Sequence, residues 1–225
     1  MHIPLSKRLQ ICCKFISPGS RVADIGCDHG YLGIYLLHTG IATSVIASDV
    51  REGPLECAIR NAGKYGVRDK MVFYLSDGVR SIPRDFDVMV CAGMGGDTMI
   101  SILEAAPWLK SEQYRLILQC QSKTPMLRKF LWEQGWQIQR ESLAKDGKFV
   151  YSVLEAVYAP GGSAEDWEYY ISKPLLEGGN PLLKEYYQRL LGGLRLHVEG
   201  LQRNGNPDPA QEALLKEIEG LEERI

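Results

Sequence analysis

Three features are missing from this 225-residue chain, and each removes a class of protein. No uninterrupted apolar run approaches the roughly 20 residues a membrane helix needs, so a spanning segment is not expected. The six cysteines, at 12, 13, 27, 57, 91 and 120, form no C-x-x-C pair and have no histidine at zinc-finger spacing. Neither a disulfide framework nor a metal site is expected; free cysteine in helices and strands behaves as a small hydrophobe. Nor is there a basic surplus: 26 Lys+Arg against 28 Asp+Glu gives a net charge of −2, which is no polybasic nucleic-acid footprint. Residues 1–16 carry Lys7, Arg8 and Lys14 but no long apolar core or small-residue cleavage site. They do not resemble a signal peptide, and a reduced cytoplasmic setting is expected.

What is present is organised around residues 22–33, V-A-D-I-G-C-D-H-G-Y-L-G. An apolar segment leads into Gly26, a polar turn and Gly30, then a helical run, which is the grammar of a first parallel strand turning into a helix. A dinucleotide fingerprint wants G-x-G-x-x-G so that pyrophosphate can lie on bare backbone. Here the glycines fall at 26, 30 and 33, and Asp28 stands at the second fingerprint position. Asp24 and Asp28 would repel a pyrophosphate but suit a cationic, phosphate-free ligand such as S-adenosyl-L-methionine. The bland alternative is an ordinary turn with two solvated aspartates.

Along the chain, residues 5–16 place Leu5, Leu9, Cys12 or Cys13 and Ile16 on one helical face. Strands are expected at 21–26, 43–48, 70–75, 86–92 and 114–120, separated by helices at 31–40, 52–65, 96–105 and 124–134. Segments 136–143 and 149–158, with Asp146-Gly147 between them, read as an antiparallel hairpin. The pattern is α/β: an open, doubly wound, mostly parallel sheet with an antiparallel edge hairpin, over residues 1–160. After a Pro-Gly-Gly-Ser linker the balance shifts, from 19 Lys+Arg against 16 Asp+Glu in residues 1–160 to 7 against 12 in 161–225. Leu183, Tyr187, Leu190, Leu194, His197 and Leu201 recur at heptad-like spacing, and Leu214, Ile218, Leu221 and Ile225 repeat it after a turn. Residues 161–225 are thus expected as a helical coiled-coil hairpin, in which His197 reads as a packed or partly exposed helix residue rather than a ligand. The pair Gly192-Gly193 marks a weak point in its first helix.

In a doubly wound sheet, ligands lie beyond the carboxyl ends of the strands. The first strand delivers Gly26, Asp28 and Gly30; the second delivers Asp49, to accept ribose hydroxyls, and Val50, to pack on an adenine face. The third delivers Asp77 and Gly78 for the adenine amino group and ring nitrogens, and the fourth delivers Ala92 and Gly93 to Gly96. Each aspartate alone is more often a helix cap or turn former. Carboxylates at three successive strand ends together point to S-adenosylmethionine.

The motifs S-K-R-L, D-I-G-C-D-H-G-Y-L, A-G-M-G-G, L-I-L-Q and G-K-F-V-Y resemble the bacterial tRNA (adenine-N1)-methyltransferase family TrmK, over essentially the whole chain. The resemblance implies a Rossmann-like domain with a helical arm, tRNA as partner, and methylation of the adenine at position 22. It implies that Asp24, Gly26, Asp28 and His29 line the methionine end, Asp49 the ribose, and Asp77 with Gly78 the adenine. Met94, Gly95 and Gly96, with Gly93, would border the target base, joined by Gln119 and Gln121. Where the family pattern is L-Q-P-N, this chain reads Leu118-Gln119-Cys120-Gln121, so a proline and an asparagine are replaced.

Adenine N1 carries an in-plane lone pair and needs no strong base, so catalysis would rest on orientation, with a carboxylate stabilising the charge gained by the ring. Asp28 is the first candidate, with Asp97 behind it, and His29 would orient the methionine carboxylate or the base. Candidate RNA contacts are Lys7, Arg8, Lys14, Lys123, Arg128, Lys129, Lys145 and Lys148, with Tyr31, Phe149 and Tyr151 as stacking surfaces. A monomer is the favoured assembly. The rival readings are a methyltransferase acting on another RNA or a small molecule, and a non-catalytic nucleotide- or RNA-binding module. No N-P-P-Y-like loop follows the fourth strand, which argues against amino-group methylation.

Overall fold

The computed structural model describes residues 3–225. Its centre is one seven-stranded sheet: Ser20–Ile25 (β1), Ala42–Asp49 (β2), Met71–Leu75 (β3), Val88–Met94 (β4), Arg115–Cys120 (β5), Trp136–Asp146 (β6) and Phe149–Tyr158 (β7). The strand order is β3-β2-β1-β4-β5-β7-β6. The first five strands run parallel, and β7 and β6 close one edge antiparallel. Crossover helices Tyr31–His38 (α2), Glu52–Lys64 (α3), Gly96–Glu104 (α4) and Thr124–Glu133 (α5) follow β1, β2, β4 and β5, while Lys7–Phe15 (α1) precedes the sheet.

Alternation along each strand sorts the core into two layers. Ala23, Ile25, Met89, Cys91, Leu116 and Leu118 meet α4 and α5 on one face. Val22, Val45, Ala47, Val88, Val90 and Ile117 meet α1, α2 and α3 on the other. Strand β4 begins at Val88 rather than Phe86 and runs on through Gly93 and Met94. Phe86 is instead a buried anchor with ring centroids 5.2 Å from Tyr114 and 6.0 Å from Trp108. Asp87, just before β4, donates its N–H to the Arg21 carbonyl and accepts from the Arg115 N–H, each at 2.9 Å, and its carboxylate lies 2.6 Å from Arg21 Nη2.

Beyond β7 come a 3-10 turn at Asp166–Tyr169, a short helix Lys173–Glu177 (α6), then Leu183–Arg203 (α7) and Pro209–Glu219 (α8). Helix α7 is continuous through Gly192-Gly193, and its buried seam uses Val198 where the heptad reading had placed His197, which is exposed. The elements before residue 180 were not foreseen in the sequence, and they fasten the arm. Leu175, Leu176, Leu183, Tyr187, Leu191, Ile218 and Leu221 form a third core with Leu143 of β6, against which Val150 of β7 packs.

Beneath that core lies a sealed ion pair. Arg128 of α5, wholly buried, donates to Glu141 of β6 at 2.5 and 3.2 Å, and also to the carbonyls of Tyr169 and Tyr170 and the hydroxyl of Tyr186. Ser152 and Ser172 donate to the same carboxylate. Arg128 therefore joins sheet to arm and is not available to RNA, a correction forced by its burial. Among the described residues, no helix is long and apolar enough to cross a membrane.

Candidate active site

Because β1 to β4 are parallel, their carboxyl ends open on the same rim, and there the loops enclose a cavity of about 460 Å³. Asp24, Gly26, Cys27, Asp28 and His29 line it from the β1–α2 turn, and Asp49, Val50 and Arg51 from the end of β2. Ser76, Asp77 and Gly78 follow β3; Ala92, Gly93 and Met94 end β4. The wall is completed by Ile25 of β1, Tyr31 and Leu32 of α2, Arg8 and Leu9 of α1, Thr98 and Ile102 of α4, and Gln121 after β5.

Two glycines shape the floor. Gly26 has φ +71°, and a Cβ there would overlap the terminal methyl of Met94, so the turn approaches the end of β4 with no side chain between. Gly30, at φ +73°, starts α2 and packs against Ala58 behind the cavity rather than in its wall. Between them Asp28 adopts φ +50°, a region aspartate tolerates better than most residues. Its backbone N–H donates to Asp49 Oδ2 at 3.1 Å, which locks the turn to β2.

The carboxylates differ in environment. Asp24 is 4% exposed, and its Oδ2 is buried without a hydrogen-bond partner. Burial pushes its pKa up to about 7, opposed by the Gly33 backbone N–H and reinforced by the charges of Asp49 and Asp28. Asp49 is buried too, but Oδ1 accepts from the Arg51 N–H at 3.0 Å and Oδ2 from Asp28, which leaves a lone pair on each oxygen for a further donor. Asp28 and His29 stand at the mouth, with Oδ2 and Nε2 3.7 Å apart and the other ring nitrogen 3.1 Å from Cys57 Sγ. Asp77 is exposed on the rim, 3.6 Å from Arg80 Nε. Val50 is 64% exposed, an apolar side chain held out at the cavity edge.

The loops expected to border the target base are clamped to one another. Gln121 N–H donates to Met94 O at 2.8 Å, and Gly96 N–H to Ser122 O at 2.9 Å. Gly95 caps α4, and Gly96 is packed so tightly that a Cβ would stand 2.8 Å from the Lys123 carbonyl. Both therefore hold the wall from behind. Asp97 is paired with Lys123 at 2.6 Å, away from the cavity lining. Gln119 is fully buried: Oε1 accepts from Gly93 N–H and Arg8 Nη1, each at 3.0 Å, so its place is behind the wall, where it fixes Arg8. Gln121 is exposed on the cavity side.

Arg8 is the site residue that sequence reasoning missed, having counted it among surface cations. It spans from α1 to Gln119 and to Asp146 Oδ2 at 3.4 Å, forming a lip over the end of β4. The available signal was its position four residues before Cys12, on the stripe that periodicity turns inward.

A doubly wound sheet with acidic loops around a cleft at its carboxyl rim is the framework of a methyltransferase, and the Methyltransferase domain family matches residues 5–154. A tRNA (adenine(22)-N(1))-methyltransferase of Bacillus subtilis (strain 168) is 32% identical over 166 residues, 73% of this chain and 70% of that protein. The crystal structure of the B. subtilis m1A22 tRNA methyltransferase TrmK superposes with TM-score 0.82 at 26% identity, covering 99% of this chain and 97% of the other. A Streptococcus pneumoniae protein proposed as a tRNA (m1A22) methyltransferase, solved with S-adenosyl-L-methionine, gives TM-score 0.83 at 28% identity, over 96% and 99% of the two chains. The chain belongs to the TrmK family of tRNA (adenine(22)-N(1))-methyltransferases.

Proposed function

We propose that this protein transfers a methyl group from S-adenosylmethionine to N1 of adenine 22 in tRNA, acting in the cytoplasm. The observation that carries the reading is the Asp24 carboxylate, buried in a cavity wall with one oxygen unsatisfied. A buried acceptor without a partner is costly unless a ligand completes it, and the ammonium of an amino-acid moiety is a fitting donor. Asp49 would hold the ribose hydroxyls through its two free lone pairs, and Val50, Asp77 and Gly78 would receive the adenine. Gly26 lets the β1–α2 turn close against Met94, so that backbone rather than a side chain faces the methionine chain.

The bound cofactor supplies a methyl group on a cationic sulfur. The chain itself orients the acceptor. Gly93, Met94 and Gln121 would frame a base whose N1 lone pair points into the cavity, and the Asp28 carboxylate would stabilise the positive charge that the ring acquires. No proton leaves N1 in this reaction, so the carboxylates and the imidazole at the mouth are not required as general bases. Since N1 lies on the Watson–Crick edge, the adenine has to be presented unpaired or flipped, at a cost of a few kcal/mol.

Incubation with labelled S-adenosylmethionine and bulk tRNA, followed by nucleoside analysis, tests the reading. The expected product is 1-methyladenosine, lost when a transcript lacks adenine at position 22. Label in another nucleoside, or none, would overturn it.

A further inference from the structure

We propose that Phe149 and Tyr151, at the tip of the β6–β7 hairpin, form a stacking platform for an unpaired nucleotide beside the target base, with Lys148 and Arg189 taking its phosphates. This rests on the reading of the chain as a tRNA methyltransferase and adds to it how the RNA is gripped next to the cavity.

The strand register sets the direction of the platform. Phe149 is paired with Asp146, and Tyr151 with Ala144. Directly opposed residues of an antiparallel pair project to the same face. That face is the one on which Asp146 meets Arg8, a cavity-lining residue, so Tyr151 lies on the side of the hairpin that borders the cavity, while Phe149, at the tip, reaches from it to Arg189 of α7. The alternate positions serve the opposite side: Leu143 packs in the arm core and Lys145 pairs with Glu185 of α7 at 2.8 Å.

Phe149 keeps 43% of its surface exposed although it sits at a hairpin end, where a polar residue would be the easy choice. The Tyr151 ring lies 6.0 Å away, tilted by 40°. Lys148 Nζ and the Arg189 guanidinium carbon stand 5.4 and 5.3 Å from the Phe149 centroid. Arg189 donates to the Lys148 carbonyl at 2.7 Å, and among the described residues neither cation forms a salt bridge. The arm as a whole is acidic, but α7 carries four Lys+Arg against two Asp+Glu, and it sets one of those cations, Arg189, against the exposed ring. Bases stack on aromatic rings while adjacent cations track the phosphates, and this pairing of groups favours RNA over an apolar protein partner.

The test compares wild type with Phe149→Ala, Phe149→Trp and Phe149→Leu. Phe149→Ala is expected to raise the KM for tRNA roughly tenfold, as loss of one base–aromatic stack predicts. The Kd for S-adenosylmethionine and the melting temperature should stay put, and Phe149→Trp should recover the KM. In tRNA carrying 2-aminopurine next to position 22, wild type should quench the fluorophore and Phe149→Ala should not. An unchanged KM and quench in Phe149→Ala, or Phe149→Leu equal to wild type, overturns the platform while wild-type methylation preserves the functional reading. A wild-type protein that methylates no tRNA overturns both.

Discussion

Glu141 and Asp24 are both carboxylates withdrawn from solvent, and the chain treats them in opposite ways. Glu141 is saturated, with two bonds from Arg128 and one each from Ser152 and Ser172. Glu155, also fully buried, is likewise closed, by Arg115 and Arg140. Asp24 alone of the three has an oxygen with no donor, and it is the one that faces a cavity. Where a charge holds elements together, the fold supplies its partners. Where the partner is to come from outside, the fold leaves the place open and tolerates the desolvation, visible as a pKa near 7.

The comparison breaks first at the structural end. Arg128→Met would strand Glu141 in the interior and should destabilise the protein by about 3–5 kcal/mol in denaturant titration, whereas adding Glu141→Leu should recover most of the loss. A single variant as stable as wild type would mean the pair holds nothing. At the ligand end the sign reverses. Asp24→Asn removes a buried charge and should stabilise the ligand-free protein at pH 8, by up to about 4 kcal/mol for a shift of this size. The same change should weaken S-adenosylmethionine binding about a hundredfold in calorimetry.

Asp28 is the third kind of carboxylate, exposed and fixed by its backbone rather than by burial. Asp28→Asn, which keeps a residue tolerant of the positive φ, should lower the single-turnover rate by about a hundredfold while leaving the melting temperature unchanged. A normal rate would remove it from the chemistry. The same Asp24 shift can be read without mutation, in the pH profile. Because burial raises the Asp24 pKa from 3.8 to about 7, the native state holds an extra proton in that window. Stability of the ligand-free protein should therefore decline from about pH 4 to pH 7 and level off above. Cofactor affinity should climb over the upper part of that range, by up to about tenfold per pH unit, since the ammonium requires the ionised carboxylate. Both slopes should vanish in Asp24→Asn.

Most of the sheet was legible in the sequence because its signals are local. A buried parallel strand reads as an apolar run, a tight turn as glycine, a crossover helix as a 3.6-residue period. The acidic rim was legible for a related reason, since strand ends in a doubly wound sheet share one edge and Asp24, Asp49 and Asp77 fall at those ends. What escaped was non-local. The burial of Arg128 depends on Glu141, the Tyr169-Tyr170 pair and Tyr186 arriving from three other places, and no window around residue 128 contains them. The family resemblance of the L-I-L-Q segment assigns Gln119 to the target base; in the structure its amide turns to Gly93 and Arg8 instead. His197 fits a heptad count, yet the seam turns past it to Val198, one residue on.

The lip formed by Arg8 has a consequence for how the protein is made. Its partners, Gln119 and Asp146, leave the ribosome more than a hundred residues after it does. Helix α1 can emerge early, but the guanidinium finds Gln119 only once β5 is made and Asp146 only when the hairpin has turned back. A nascent chain stalled before β5 would already possess the three strand ends that bear the acidic groups, with the lip above them unfastened. Biogenesis thus builds the receptacle first and fits its fastening last.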